Sequence, residues 1–514
     1  MRLEHFLHEH ARQRANKTVL VAGTRRVSYA ELDEMSTRLA ASLQQQGIER
    51  GDRVLVFLDN CVEAAISIFA IVKAGAVFST INPTTKTDKL AYMLNKCSAK
   101  GLITHQRLLR VARGAIAPAG CVKVVIAVGS IDADVVSWSD AIATAPALRD
   151  VGGISADLAM IIHTSGSSGM PKGAMMTHQN IFAAGRSVMS VLENSENDII
   201  LSVLPLSFNY GLYQLLMTVM MGGTLVLENS FTYPHKIIQK MQQERVTGFP
   251  LLPTIAAILV QMESLKPECL PDLRYITNTA ASLPPAHIAK LREICPRTKI
   301  YSMYGLTECK RATWLPPEQL AIRPNSVGKA IPDTEVWIVD DKNNRVGPGI
   351  IGELVVRGPT VMQGYWDNPE ATARALRPGP NPWEKVLYSG DLFRMDEEGY
   401  FYFVGRKDDI IKTRGEKVSP REVEDVLYAL PEVREAMVVG VPDPILGAAI
   451  KAVIVLMPGS SLSAHDIMRH CAARLEDLMV PKLVEFREEL PKTSTGKLRR
   501  ADLQSEFVAA GARS

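Results

Sequence analysis

In the first half of the chain, a short segment combines glycines, hydroxyl side chains and a lysine. Residues 164–173 read TSGSSGMPKG. Glycine lets backbone N–H groups approach a polyphosphate closely, the hydroxyls add donors, and Lys172 supplies a positive charge. The residues that we expect to contact phosphate are Thr164, Ser165, Gly166, Ser167, Ser168, Gly169 and Lys172. This segment, called the phosphate loop below, therefore predicts a nucleotide-binding site.

The phosphate loop differs from a Walker A motif at two positions. Pro171 precedes the lysine, and Gly173 stands where Ser or Thr would bind Mg2+. A P-loop kinase is therefore disfavoured. Segments rich in Ser and Gly are often flexible linkers. Here, however, an apolar run at 158–163 suited to a strand precedes the loop, and we expect a helix capped by Thr177 and beginning near Asn180 to follow it.

Four further motifs follow in the chain, and they carry side chains suited to nucleotide chemistry. They read YGLTE at 304–308, YSGD at 388–391, GRKDDIIK at 405–412 and PKTSTGK at 491–497. In order and spacing, the five motifs resemble those of the AMP-forming acyl-CoA synthetase superfamily, which includes aryl-acid ligases, luciferases and peptide-synthetase adenylation domains. The resemblance covers essentially the whole chain. It implies activation of a carboxylic acid by ATP to acyl-AMP, with release of pyrophosphate, and then transfer to a thiol.

The resemblance assigns three catalytic roles. Attack of a carboxylate on the α-phosphorus of ATP brings two anions together, so the site needs cations such as lysine and Mg2+. By resemblance, Lys497 is the mobile lysine that bridges the acyl carboxylate and the α-phosphate. Glu308 is implied as the Mg2+ ligand, and Thr307 as a hydroxyl donor to a phosphate oxygen.

The resemblance also implies the contacts to the nucleoside. Tyr304 offers a flat face on which adenine stacks, Asp391 accepts the ribose hydroxyls, and Arg406 donates to the same sugar or to a nearby phosphate. The further nucleotide-binding residues that it implies are Ala280, Ala281, Ser282, Met303 and Gly305.

A small C-terminal domain is expected to move between the two half-reactions. Asp408 matches the hinge position of the family, and a hinge works through its backbone dihedral angles rather than its side-chain chemistry. In one orientation the domain presents Lys497. In the other it presents residues 414–417, with Gly415 and Lys417 on the side of the thiol.

The acyl pocket is predicted from two segments. Phe208 stands at the position of an aromatic gate in the family, although a Phe after a strand often serves packing alone. Asn209 and Tyr210 resemble the branch that activates aryl acids. Thr279 and Ser282 stand where relatives commonly have Gly and Pro, so we expect a restricted or partly polar acyl pocket rather than one for long-chain fatty acids.

The pattern of apolar runs predicts the fold class. From residue 18 to about 305, β-branched runs alternate with helix-length segments, which is typical of doubly wound, mostly parallel α/β structure. Closely spaced apolar runs at about 325–404 predict a β-rich, antiparallel part. We expect an N-terminal domain at 1–404, a hinge at 405–408 and a small mobile α/β lid at 409–514. The charged segment at the boundary also fits a loop within one domain.

Composition favours a small-molecule enzyme. The 514 residues are 46% hydrophobic and 22% charged with a formal net charge of +3, so neither nucleic-acid binding nor a membrane span is expected. The charged N-terminus lacks the apolar stretch of a secretory signal, and we expect a cytoplasmic location. The seven cysteines are scattered without zinc-ligand spacing, and we expect reduced, mostly buried thiols.

Several alternatives stay open at this point. The expected substrates are a small carboxylic acid, ATP with Mg2+, and CoA, but the phosphopantetheine of a separate carrier protein is an equally suitable thiol. A homodimer is possible. A non-catalytic acyl or nucleotide sensor on the same scaffold is a remote alternative, since such a protein would not need a mobile lysine.

Overall fold

The computed structural model describes residues 1–129, 132, 134–143, 147–164, 170–279, 283–407, 409–413, 416–443, 446–492 and 498–511. The helices are α1 (Leu3–Gln13), α2 (Tyr29–Gln45), α3 (Val62–Lys73), α4 (Thr87–Lys96), α5 (Leu109–Ala119), α6 (Trp138–Ala143), α7 (His178–Val191), α8 (Asn209–Met221), α9 (Pro234–Gln243), α10 (Pro253–Gln261), α11 (Pro285–Ile294), α12 (Pro369–Ala375), α13 (Pro420–Leu427), α14 (Ala464–Ala472) and α15 (Arg500–Gly511). The strands are β1 (Thr18–Ala22), β2 (Arg25–Ser28), β3 (Arg53–Phe57), β4 (Val77–Thr80), β5 (Gly101–His105), β6 (Val124–Val128), β7 (Val136–Ser137), β8 (Leu158–Thr164), β9 (Lys172–Thr177), β10 (Ile199–Ser202), β11 (Thr224–Leu227), β12 (Gly248–Leu251), β13 (Tyr275–Asn278), β14 (Lys299–Tyr304), β15 (Thr313–Leu315), β16 (Ser326–Ala330), β17 (Glu335–Val339), β18 (Gly352–Arg357), β19 (Leu376–Pro378), β20 (Lys385–Met395), β21 (Phe401–Arg406), β22 (Ile411–Thr413), β23 (Glu416–Val418), β24 (Val433–Asp443), β25 (Gly447–Leu456) and β26 (Leu483–Phe486).

Two largely parallel sheets form the first part of the chain. One has the strand order β7-β6-β5-β3-β4-β8-β9, and its pairs are parallel except for β8 with β9. In the other, β1-β11-β10-β12-β13-β14 are parallel, and β2 lies antiparallel on β1. The doubly wound α/β class predicted from the sequence is confirmed.

The two sheets share a core that is built around two buried helices. Nearly every residue of α3 and α8 is buried, as expected for helices that are apolar on all sides. One cluster of buried side chains includes Phe69 of α3, Leu215 of α8, Val54 of the first sheet and Leu225 of the second. The carboxyl ends of β13 and β14 lie at the same edge of their parallel sheet, which is where α/β proteins bind ligands.

The phosphate loop has a different setting from the predicted one. We expected it to lie between a strand and a helix, but a second strand, β9, intervenes and pairs antiparallel with β8, so that Lys172 is the first residue of a strand. The following helix does have Thr177 as its N-cap, with reciprocal bonds between Thr177 and Asn180, but it begins at His178. The residues between the loop and the helix thus form a short, mostly buried strand.

Beyond β14 the parallel sheet continues as antiparallel strands. The order is β14-β15-β16-β21-β20-β18-β17, with β19 beside β20. The predicted antiparallel structure over 325–404 is confirmed, and the strand predicted at 335–339 has those bounds. The edge of the parallel sheet and the antiparallel part therefore form one continuous surface.

The C-terminal part has its own sheet and core. Strands β24, β25 and β26 form a sheet that packs with α13 and α14 around Val438, Ile454 and Ile467. Ser463 caps α14, and its hydroxyl accepts from the Asp466 N–H. The predicted hinge residue Asp408 lies outside the described residues. No helix in the described ranges is long and apolar enough to cross a bilayer.

Gly328 lies where β16 passes between β15 and β21. Its φ is +85°, and a Cβ built there would lie 1.7 Å from the carbonyl oxygen of Trp314. We expect Gly328→Ala to lose more than about 2 kcal/mol of stability, because both the backbone and the neighbouring strand would have to move. Gly347→Ala is the matched control, since Gly347 has no atom within 4 Å of a built Cβ. Equal melting temperatures for the two variants would contradict this account of the strand junction.

Candidate active site

Three of the predicted nucleotide residues meet at the carboxyl end of β14. Tyr304 is the last residue of that strand, and its hydroxyl donates to Oδ2 of Asp391 at 2.6 Å. Nε of Arg406, at the end of β21, lies 3.0 Å from Oδ1 of the same carboxylate. Asp391 is buried, which raises its pKa, and the positive charge of Arg406 opposes that shift. Residues from three strands thus form one charged and hydrogen-bonded group.

The ring of Tyr304 lies against two phenylalanines of the antiparallel part. Its centroid is 4.8 Å from that of Phe393, which it meets edge-on, and 6.4 Å from that of Phe403. Burial and the neighbouring Asp391 carboxylate raise the pKa of Tyr304 well above its ordinary value, so that the hydroxyl remains a donor. The side chain is therefore held in one orientation by both its ring and its hydroxyl.

A second group links the phosphate loop to the motif at 304–308. The Tyr365 hydroxyl donates to Oε1 of Glu308 at 2.6 Å, and Nζ of Lys172 lies over the Tyr365 ring, 5.6 Å from its centroid. The Thr164 hydroxyl donates to the Lys172 carbonyl at 3.3 Å. Burial and the Glu308 charge raise the pKa of Tyr365, which therefore keeps its proton. A lysine and a carboxylate suited to polyphosphate and Mg2+ thus face one tyrosine.

Tyr365 was not predicted from the sequence. It lies in a segment, residues 362–366, whose backbone binds both parts of the site: the Met362 N–H donates to the Glu308 carbonyl at 2.8 Å, and the Trp366 N–H donates to the Gly173 carbonyl at 2.7 Å. The sequence signal was the aromatic pair Tyr365-Trp366 between Gly364 and a polar turn. Only the long-range contacts show what the pair does.

The predicted acyl-pocket residues gather at the N-terminus of α8 and the end of β13. Phe208 lies in the loop after β10, as expected, and is the N-cap residue of α8, while Asn209 and Tyr210 lie in the first helical turn. The Tyr210 hydroxyl bonds to the Thr277 carbonyl at 2.8 Å and lies 2.6 Å from the Thr277 hydroxyl. Thr279 follows β13 and is buried. In the described structure, Oδ1 of Asn209 and Oγ1 of Thr279 have no hydrogen-bond partner.

The remaining predicted residues fall into two groups. Met303 is buried in β14, and Gly305 has no room for a side chain, because a Cβ there would lie 2.2 Å from the Lys310 carbonyl oxygen. Thr307 lies half-buried in the turn that follows β14. The predicted residues that lie outside the described ranges are Ser165, Gly166, Ser167, Ser168, Gly169, Ala280, Ala281, Ser282, Asp408, Gly415 and Lys497, and the side chain of Lys417 is likewise not described.

The cysteine next to the site packs in the core. Cys309 is fully buried, and burial raises the pKa of its thiol to about 12, so it remains protonated at neutral pH. All seven cysteines lie in the described ranges as free thiols. The expectation of reduced thiols agrees with this arrangement, although three of the seven, Cys61, Cys121 and Cys269, are only half-buried.

Comparison with known proteins identifies the family. The family described as "AMP-binding enzyme" matches residues 7–366, and the "AMP-binding enzyme C-terminal domain" matches residues 422–497. The chain belongs to the AMP-binding enzyme family. It is thus an AMP-forming acid–thiol ligase of the acyl- and aryl-CoA synthetase type, and its fold is that of the adenylate-forming enzymes.

The relatives of this ligase cover nearly its whole length. A feruloyl-CoA synthase of Amycolatopsis sp is 33% identical over 500 residues, which cover 97% of each chain. A long-chain-fatty-acid–CoA ligase of Bacillus subtilis (strain 168) is 30% identical over 541 residues, which cover 98% of this chain and 94% of that one. The solved structure of the anthranilate CoA ligase AuaEII in complex with anthranoyl-AMP superposes with a TM-score of 0.91 at 28% identity, over 100% of this chain and 98% of the other.

The contact between Tyr365 and Glu308 generates a direct test. Tyr365→Phe keeps the ring below Lys172 but removes the hydrogen bond to the carboxylate. Because hydrogen bonds to charged groups contribute about 1.5–3 kcal/mol, we expect kcat/KM for ATP to fall roughly ten- to hundredfold. The measurement is pyrophosphate release at saturating acid over a Mg2+ titration. Tyr402→Phe is the control, since it removes a Tyr–carboxylate bond, to Asp396 at 3.0 Å, outside the site. Equal losses in both variants would refute a specific role for Tyr365.

Proposed function

We propose that this ligase activates a compact carboxylic acid in two steps. The acid carboxylate attacks the α-phosphorus of ATP, the bond between the α-phosphorus and the bridging oxygen breaks, and pyrophosphate leaves. The CoA thiol then attacks the acyl carbon of acyl-AMP, AMP leaves, and the thiol proton passes to solvent. The observation that carries the proposal is the meeting of Tyr304, Asp391 and Arg406 at the end of β14, next to Glu308 in the same turn.

The proposed roles follow from what each side chain offers. Asp391 and Arg406 bind the ribose, and Tyr304 is the platform for adenine. Lys172 and the phosphate loop hold the β- and γ-phosphates, which are the groups that leave. Lys497 neutralises charge between the carboxylate and the α-phosphate, because two anions cannot approach without a cation between them.

Glu308 suits a role as a Mg2+ ligand. Mg2+ is commonly bound by one or two carboxylates together with substrate phosphates, rather than by a cage made of protein ligands alone. No group of three or more His, Cys, Asp or Glu side chains in the described ranges forms such a cage. Among the described residues, the Glu308 carboxylate accepts a hydrogen bond from the Tyr365 hydroxyl through Oε1, so it retains capacity for a cation. When bound, Mg2+ would offset the negative charge of the phosphates.

CoA is the proposed acceptor. The named activities of the relatives, a feruloyl-CoA synthase and a long-chain-fatty-acid–CoA ligase, support a free CoA thiol. The alternative acceptor is the phosphopantetheine of a separate carrier protein, which presents the same thiol. Thioester formation with CoA and with a pantetheinylated carrier, measured side by side with the same acid, distinguishes the two. In either case the proposed thiol-side residues are Gly415 and Lys417.

The proposed hinge and lysine are tested together by separating the half-reactions. Lys497→Ala should lower acid-dependent pyrophosphate release by more than about 100-fold, because no other cation replaces it at the α-phosphate. Transfer from synthetic acyl-AMP to CoA should persist, because that step follows the domain rotation about Asp408. The neighbouring Lys492, whose Nζ pairs with Glu435, is the control as Lys492→Ala. Unchanged pyrophosphate release in Lys497→Ala would overturn the assignment.

The proposed substrate is short or aromatic, because Thr279 is buried at the end of β13 and adds bulk there. In a panel of acids trapped with hydroxylamine, we expect benzoate-sized acids to exceed palmitate in kcat/KM by at least about tenfold. Thr279→Gly should shift the preference toward larger acids. Thr279→Val keeps the side-chain volume and removes the hydroxyl, so it distinguishes the effect of side-chain volume on substrate preference from the effect of the hydroxyl. A wild-type preference for palmitate would refute the compact pocket.

A further inference from the structure

Two consecutive basic residues are buried immediately after the motif at 304–308. Lys310 is 1% exposed and Arg311 is 4% exposed. Within the described part of the chain, neither side chain forms an ion pair with a carboxylate, although most other buried or half-buried cations do so, such as Lys73 with Asp33. Burying a charge without an opposite charge is costly, so an unpaired pair of cations requires an explanation.

The contacts of the two cations are weak ones. Nζ of Lys310 lies 4.1 Å from the ring centroid of Tyr213 and 3.4 Å from the Asn209 carbonyl oxygen. The Arg311 guanidinium lies over the Tyr210 ring, 4.7 Å from its centroid, and donates once to the Lys310 carbonyl at 3.0 Å. Its Nε has no hydrogen-bond partner among the described residues. Aromatic faces and carbonyls partly replace water but do not neutralise either charge.

The backbone holds both cations in place at a cost. Lys310 has a φ of +62°, in the left-handed region that non-glycine residues rarely adopt. Two backbone hydrogen bonds close the turn. The Cys309 N–H donates to the Leu306 carbonyl, and the Ala312 N–H donates to the Tyr304 carbonyl. Strain of this kind persists where the surrounding structure demands a particular side-chain direction, and it occurs often at ligand sites.

The side chains of both cations lie against residues of the proposed acyl pocket. The Arg311 guanidinium lies over the ring of Tyr210, whose hydroxyl donates to the Thr277 carbonyl on β13. Nζ of Lys310 contacts the Asn209 carbonyl in the first turn of α8. Near the same turn, Oδ1 of Asn209 is buried without a hydrogen-bond partner in the described structure. Burial lowers the pKa of Lys310 well below its ordinary value, and the neighbouring charge of Arg311 adds to that shift. Burial also lowers the pKa of Arg311. A bound anion beside the two side chains would oppose both shifts.

We propose that the acid substrate carries a second carboxylate, remote from the one that reacts, and that Lys310 and Arg311 bind this second carboxylate at the closed end of the acyl pocket. The inference rests on the proposed function and narrows its substrate to a dicarboxylic acid. The two cations then acquire the negative partner that the described residues do not supply. The reacting carboxylate lies at the nucleotide, where the proposed role of Lys497 is to neutralise its charge. The two ends of the substrate therefore bind to different cations.

The test compares each dicarboxylic acid with its own monomethyl ester. Succinate, glutarate, adipate, isophthalate and terephthalate are assayed against their monomethyl esters by pyrophosphate release with hydroxylamine as acceptor. Each ester keeps the carbon skeleton and one reactive carboxylate but removes the second charge. We expect kcat/KM for the best diacid to exceed that of its ester by at least about tenfold, since a buried polar site rejects a ligand that leaves it unpaired.

Variants of Lys310 and Arg311 test whether the selectivity for diacids over their esters arises at these two residues. Lys310→Met and Arg311→Met keep length and volume while removing charge, and each should lower the diacid-to-ester ratio by at least about tenfold, mainly through a higher KM for the diacid. Arg311→Lys, which retains a charge, should recover part of the ratio. Lys329→Met is the control, because Lys329 also lies over a tyrosine, 4.5 Å from the Tyr400 centroid, but is exposed.

The possible outcomes separate this inference from the proposed function. If the wild-type enzyme uses the monomethyl esters as well as the diacids, or better, the second-carboxylate site is refuted while acid activation stands. If no acid of either kind gives pyrophosphate, the proposed function fails and this inference fails with it. If the methionine variants do not fold, the ratio of kcat/KM between diacid and ester on the wild-type enzyme still tests the second-carboxylate site, because it compares two ligands on one folded protein.

Discussion

The hydrogen bond from the Tyr304 hydroxyl to the Asp391 carboxylate is the contact on which the arrangement of the site depends. It joins the last residue of a parallel strand to an antiparallel strand 87 positions later in the chain. Asp391 is 2% exposed, and a buried carboxylate needs both a donor and a positive charge. Tyr304 supplies the donor and Arg406 the charge. Parallel and antiparallel parts are thereby fixed to each other at the point where the proposed ribose contact lies.

The same edge must also gather cations for a reaction between anions. Lys172 reaches it from the start of β9 and Arg406 from the end of β21, and Glu308 lies beside them in the turn after β14. These elements are distant in sequence, and the segment at 362–366 links two of them through backbone hydrogen bonds. The distribution of charge therefore follows from the sheet order. Where a parallel sheet continues as antiparallel strands, later segments of the chain lie next to the carboxyl ends of the earlier parallel strands.

Local signals in the sequence were reliable where one short segment decides the structure. The cap predicted at Thr177 is present, because a cap requires only a hydroxyl and a nearby backbone N–H. Strand β9 was missed because its six residues carry no alternating pattern beside a glycine-rich loop. The partners of Tyr365 and the burial of Lys310 could not be read from the sequence at all, because long-range packing determines both.

In the C-terminal part, one arginine joins several elements that lie beyond the proposed hinge. Nη1 of Arg500 lies 3.1 Å from Oδ2 of Asp409, the residue after Asp408, and the guanidinium also pairs with Glu424 and donates to the Val438 carbonyl at 2.9 Å. Charge on these carboxylates raises the pKa of Arg500 against the effect of burial. On either side of the segment 493–497, Lys492 and Leu498 form a β-bridge. Arg500 therefore ties Asp409, the residue after the proposed hinge, to the helix α15. Because one guanidinium pairs with Asp409 and Glu424 and donates to the Val438 carbonyl, we expect a rotation at the proposed hinge to move these described residues together.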